Sequence, residues 1–379
     1  MYSVYQHWDP LKVCVVGRSY PPEFYNWIKV PHVRRLFERI AIETEEDLQK
    51  IATVLETFGV EVLRPEIPVE WFNQTRTPFT PPPLQPRDIM VMIGETFYRP
   101  KNQWEEFYNV VKDPSWPEKS VDITDLPSHV QQECLEVHNW LDASKEEVFR
   151  HHSPYKKIFD RIRSQGNIIK TSPHPCVQGM MASRIGKDLY FATESYTDDQ
   201  NKIKQVVNQE FPNNRTHVIN TGGHGDAVYC PVCPGLIISL KDVPTYAETF
   251  PGWEVVYLPG QSWDHIKPFK DLKAKNNGKW WIPGFEYDQN VVDVVENWLG
   301  HWTGYVEETV FDVNMLIIDP KNVIVFNYND RVFEALSRYG ITPHVINFRH
   351  RYFWDGGIHC VTLDLHREGV MQDFFPNKK

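Results

Sequence analysis

Short apolar runs alternate along this chain with stretches whose apolar residues recur at helical spacing, and glycines mark the joints. Leu11-Lys-Val-Cys-Val-Val-Gly17 reads as a buried strand ending at a glycine. In Glu43–Phe58 the residues Leu48, Ile51, Val54, Leu55 and Phe58 fall on one helical face, and acidic residues crowd the first turn, where the helix dipole favours them. Gly59 stops that helix, and Val60–Leu63 reads as a second strand. The unit is strand, helix, glycine, strand.

The unit recurs at Lys187–Ala192, Asp199–Phe211 and Thr216–Ile219, and again at Gly235–Leu240, Tyr246–Phe250 and Trp253–Tyr257. Another copy runs through Val323–Phe326, Asp330–Tyr339, Gly340 and Ile341–Phe348. A looser one opens with a strand at Asp88–Ile93 and closes at Asn167–Lys170, with helical patterns at Tyr98–Asn109 and Glu146–Arg163 and a polar insertion. No unit of this size can bury its own apolar face, so about five of them imply either a solenoid or a closed ring of α/β blades. The irregular period, and the want of a polar repeat at either end, favour the ring.

In a ring, equivalent points of each unit converge on one axis, so the segments that follow each second strand are where distant residues can meet. After Leu63 comes a proline-rich stretch ending Gln85-Pro-Arg-Asp88, and after Lys170 comes Pro173–Gly179. After Ile219 comes Thr221-Gly-Gly-His-Gly-Asp226, and after Phe348 comes the loop Asp355-Gly-Gly-Ile-His-Cys360. The two glycines free the backbone ahead of Cys360, where a loop enters an apolar strand. A cysteine nucleophile needs a base and a separate acid for the leaving group, and His224 can serve as both. Asp226 points the same way as His224 if that segment is extended, and Asp88 approaches from another unit. Two carboxylates suit a planar cation with several N–H donors, such as a guanidinium. His359 is read as structural, because neighbours on a strand face opposite ways.

Composition narrows the class further. The chain has 379 residues, 41% apolar and 13% aromatic, enough for a large core. Its net charge of −10, without a basic block, argues against a nucleic-acid surface and suits a small cationic substrate. The N-terminal residues carry no basic and apolar signal pattern, and no long apolar run occurs, so a cytoplasmic protein without a membrane anchor is expected. Six cysteines in this length do not make a disulfide framework. Cys230-Pro-Val-Cys233 supplies only half of a structural zinc site, and Asp226 stands where the zinc deaminase pattern needs Glu, so no metal is assigned there. The aromatic run Lys279–Tyr287, with Trp298 and Trp302, reads as loop packing.

Several of these segments together resemble the amidinotransferase family over nearly the whole length. They are Trp8-Asp-Pro-Leu11 with Val15-Val-Gly-Arg18, Pro86-Arg-Asp88, His224-Gly-Asp226, and Gly356-Gly-Ile-His-Cys360 with Thr362 and Asp364. The resemblance implies a five-bladed, pseudo-symmetric α/β propeller and a covalent cysteine mechanism. Cys360 would attack the guanidino carbon of a donor such as arginine, and His224 would protonate the departing amine and deprotonate the acceptor amine. Asp88 and Asp226 would hold the guanidinium, and no metal or organic cofactor would be needed. The chain departs from the family at Val177-Gln-Gly-Met-Met181, where relatives carry a Phe-Asp-Ala-Ala-Asp-like stretch. Gln178 can still hydrogen-bond a substrate, but neither it nor Met181 brings a negative charge to His224.

The expected partners are a small guanidino donor and an amine acceptor, with no nucleic acid and no membrane. The oligomeric state is open, a homodimer being one option. Residues 1–379 are read as one domain in which insertions at about 64–87 and 100–165 gate the site. Two other functions remain in view: a guanidino hydrolase of the same superfamily, in which water replaces the amine, and a binding protein on the same scaffold that has lost turnover.

Overall fold

The repeated pattern folds into five three-stranded sheets. A computed structural model describes residues 1–67, 81–100, 154–193, 200–240, 246–258, 282, 285, 288–299 and 310–378. The strands are β1 (Leu11–Val16) and β2 (Glu61–Leu63); β3 (Val91–Ile93), β4 (Thr96–Arg99) and β5 (Ile168–Thr171); β6 (Ala182–Ile185), β7 (Asp188–Thr193) and β8 (Arg215–Asn220). There follow β9 (Tyr229–Cys233), β10 (Leu236–Ser239) and β11 (Glu254–Tyr257); β12 (Leu316–Asp319), β13 (Asn322–Val325) and β14 (Thr342–Val345); and finally β15 (Thr362–Arg367), which returns to pair with β1.

Every sheet repeats one arrangement. A central strand pairs antiparallel with the strand before it and parallel with the strand after it. A parallel pair needs a crossover, and a helix supplies it in each blade: Pro31–Thr57, Lys156–Ser164, Gln200–Glu210, Tyr246–Thr249 and Asp330–Arg338. The five blades make an α/β propeller with five-fold pseudo-symmetry. The strand-helix-strand reading was thus correct but incomplete, since each blade also has a leading antiparallel strand.

Burial is graded across each blade. The leading strands β3, β6 and β9 are buried throughout, whereas the third strands β2, β5, β11 and β14 consist of exposed and half-buried residues. The leading strands therefore face the centre and the third strands the outside. The first helix starts at Pro31, well before the expected Glu43, because Val33, Leu36, Phe37 and Ile40 extend the buried face and Pro31 is pre-shaped for a helix start.

Other expectations are corrected. Asp88 is not on a strand: Pro86–Ile89 is a helical turn, again begun by proline, and the strand is limited to Val91–Ile93. Tyr98 and Arg99, read as helical, complete β4, where Tyr98 pairs with Lys170; the rest of Tyr98–Asn109 beyond 100 lies outside the described residues. Most of the two insertions, 68–80 and 101–153, is also outside them, whereas Lys156–Ser164 is the crossover helix of its blade. Of the aromatic run, Trp298 packs on Trp27 with ring centroids 5.0 Å apart, and Trp302 is outside the described residues.

At the centre the leading strands meet on a charged hub. Asp364 of β15 lies 2.8 Å from Arg87 Nη1, accepts two 3.0 Å bonds from Arg184 Nη2 of β6, and accepts a 2.6 Å bond from Arg367 Nε. All four side chains are buried, and the three arginines hold the Asp364 carboxyl well below the usual carboxylate range despite its burial.

Candidate active site

The site is built from the segments that join one blade to the next. The one after β2 ends in the turn Pro86–Ile89 and carries Asp88; the one after β8 contains the 3-10 turn Gly225–Ala227 and carries His224 and Asp226. The one after β14 carries Cys360 immediately ahead of β15. Ligand atoms of Asp88, Asp226 and Cys360 all lie within 4.8 Å of one another. Three residues that the sequence reading joined across a separation of more than half the chain are neighbours.

Backbone geometry at the cysteine differs from the expectation. Asp355, not a glycine, takes the left-handed conformation, at φ 51°, which the short polar side chain of aspartate tolerates. The two glycines serve close approach instead: a Cβ at Gly356 would lie 2.3 Å from Gln85 Nε2, and one at Gly357 would lie 2.2 Å from Asn314 Oδ1. Arg87 ties the turn of Asp88 to the same loop, its Nε donating to the carbonyls of His359 and Thr362 at 2.9 Å each. The hub arginine therefore fixes the distance between two candidate site residues.

His359 is not turned away from the site. Residues 358–361 form a turn rather than a strand, so neighbours need not face opposite ways. His359 Nδ1 lies 2.8 Å from Asp226 Oδ2, and Cys360 Sγ lies 3.8 Å from the same oxygen. Burial and then the Arg87 charge push the imidazole pKa well below its ordinary value, which favours the neutral ring.

The electrostatics are poised against charge. Burial, followed by the Asp226 charge, lifts the Asp88 carboxyl to about 7, with His224 pulling in the other direction. Burial likewise lifts Asp226 to about 7, opposed first by Arg87. Burial and then the charges of Asp226 and Asp88 push the Cys360 thiol well above its ordinary value. Oδ1 of Asp88 and Oδ1 of Asp226 are buried without a hydrogen-bond partner among the described residues. A cation with several donors would lower all of these costs at once.

Gln178 is in the segment after β5, half-buried, with its carbonyl accepting from the amides of Met181 and Ala182. Its neighbour Gly179 packs on Arg87, and the carbonyl of Met180 accepts from the Asp226 amide at 3.1 Å, so Gln178 borders the site without a side-chain hydrogen bond to it among the described residues. Met181 is core. Cys230 and Cys233 lie on the fully buried β9, their thiols pushed to about 12 and about 11, chiefly by burial. Sequence reading missed Asn314. It lies in the one inter-blade segment that was not compared with the others, that between Tyr257 and β12, and its place just ahead of β12 was the available signal.

No family model matches the sequence. The mitochondrial glycine amidinotransferase of Xenopus tropicalis is 24% identical over 402 residues, covering 98% of this chain and 84% of that one. An L-arginine:L-lysine amidinotransferase from Pseudomonas savastanoi pv. phaseolicola is 21% identical, covering 89% and 82%. The chain is thus similar to amidinotransferases over nearly its whole length. Among solved structures, an amidinotransferase of saxitoxin biosynthesis from Microseira wollei shares the fold, with a TM-score of 0.61, 18% identity and 99% coverage of both chains. The similarity goes with a site of one thiol and two carboxylates in a propeller that has no membrane-crossing helix among the described residues.

Proposed function

We propose that the protein moves an amidino group from a guanidino donor, arginine being the first candidate, to an acceptor amine by way of a covalent amidino-cysteine on Cys360. The observation that carries this reading is the convergence of Cys360 with Asp88 and Asp226 within 4.8 Å. Asp88 and Asp226 accept N–H bonds from the guanidinium, which restores to both carboxylates the partner that burial denies them. Cys360 Sγ forms a bond to the guanidino carbon, the C–N bond to the donor amine breaks, and His224 gives that amine a proton. The acceptor amine then attacks the same carbon, His224 takes its proton, and the C–S bond breaks to return the thiolate. Gln178 contributes a polar contact at the rim of the donor site. In this reading residues 1–379 act as one domain.

The test is incubation of the intact protein with arginine and a panel of amines, followed by mass spectrometry of small molecules and of the denatured protein. Amidinated amine together with an adduct on Cys360 is expected. Citrulline without any amidinated amine would replace the transferase by the hydrolase, and full activity in Cys360→Ala would remove the covalent route. A protein that binds arginine but yields neither product nor adduct would be a binding protein on this scaffold.

A further inference from the structure

Asn314 follows the short helix Val310–Val313 and is 1% exposed. Its side chain makes three hydrogen bonds to two different inter-blade segments. Oδ1 accepts from the His359 amide at 2.7 Å, while Nδ2 approaches the Asp226 carbonyl at 3.2 Å and Cys360 Sγ at 3.3 Å. The orientation of this amide is not free. A backbone N–H can only donate, so the atom facing His359 N must be the oxygen, and a carbonyl can only accept, so the atom facing Asp226 O must be the nitrogen. Both constraints agree, and they leave the second Nδ2 hydrogen directed at the sulfur.

We propose that Asn314 is a catalytic residue of the reaction described above, a fixed amide donor that holds the Cys360 sulfur as an anion and aims it between the two carboxylates. Its value comes from what surrounds it. The Asp88 and Asp226 carboxylates both repel a thiolate, and Nδ1 of the neighbouring His359 is already paired with Asp226. An N–H donor strengthens its bond when sulfur ionises, so it favours the thiolate without adding charge to a site that must accept a cation. Being held at both other atoms, the amide needs no reorganisation when the charge develops. The glycine at 357 follows from the same geometry, since any side chain there meets Asn314 Oδ1.

The inference rests on the proposed function for its meaning, but its test does not require turnover. Alkylation of Cys360 by iodoacetamide is followed against pH by mass spectrometry of the Cys360 peptide, in the intact protein and in Asn314→Ala. The midpoint of the alkylation profile is expected to rise by about one pH unit, and where amidino transfer is measured, kcat is expected to fall about 10- to 100-fold with a smaller change in KM. Should Asn314→Ala fail to fold, Asn314→Leu keeps a similar branched shape and removes the donor without adding a charge, and its midpoint must rise as well. An unchanged midpoint in either folded variant overturns the proposal. A shifted midpoint in a protein without transferase activity would uphold Asn314 as the thiolate donor while rejecting the function.

Discussion

Two buried charge clusters lie on either side of His359, and they use aspartate in opposite ways. In the hub, Asp364 is surrounded by Arg87, Arg184 and Arg367, and its carboxyl is held well below the ordinary range. In the site, Asp226 and Asp88 are largely though less completely removed from water, yet both carboxyls are lifted to about 7. Burial disfavours the anion in both places. What differs is compensation: the hub supplies three cations for one carboxylate, and the site has one thiol and two carboxylates with unpartnered oxygens. The hub is complete, whereas the candidate site leaves an oxygen of each carboxylate without a partner among the described residues, as the proposed guanidinium would require.

The sharpest way to break this contrast is Asp364→Ala, which leaves three buried guanidiniums uncompensated. A loss of about 3–5 kcal/mol in urea denaturation is expected, with activity falling only as the folded fraction does. Next in size is Gly357→Ala, whose Cβ would lie 2.2 Å from Asn314 Oδ1; it should cost about 1–3 kcal/mol and also slow alkylation of Cys360.

Asp88→Asn should act in the other direction. Because the folded Asp88 carboxyl is raised, the native state binds more protons than the unfolded one between the ordinary carboxylate value and about 7, and stability falls as pH rises through that window. Replacing the carboxyl removes this term, so the variant should gain about 1–2 kcal/mol relative to the parent at pH 8 and nothing at pH 4, while transfer is lost. Asp364, with its lowered carboxyl, has the opposite sign: its contribution is present at neutral pH and lost only as pH falls through its folded value. Thermal melting of both variants across pH 4–8 tests the pair. The smallest effect is expected for Gln178→Ala, a rise of roughly two- to fivefold in KM for the guanidino donor with kcat unchanged, because a single exposed-edge hydrogen bond is worth about 1 kcal/mol.

The blades were legible in the sequence because strand, helix and glycine recur in one order, and the ends of helices such as Asp330–Arg338 carry ordinary stop signals. The approach of Cys360, Asp226 and Asp88 was legible because they occupy equivalent joints between blades. Less visible were leading strands other than Val91–Ile93: Ala182–Ile185 is short and carries Ser183 and Arg184 between its apolar ends, and Tyr229–Cys233 contains a proline and a cysteine pair that invite other readings. The hub was hidden for another reason. Arg87, Arg184 and Arg367 look like ordinary charged residues until the ring brings β6 and β15 together. His359 was misread because alternation was applied to residues that form a turn. Asn314 escaped because the segment it ends was not compared with the others.

The pairing of β15 with β1 has a consequence for how the molecule comes into being. The strand that completes the first blade is the one that follows all the others, and Cys360 precedes it by two residues. As synthesis proceeds from the N-terminus, four blades can acquire their strands while the first still presents an open edge along Leu11–Val16. Ring closure and completion of the candidate site are thus a single event: the chain sets Cys360 in place in the act of clasping its own beginning.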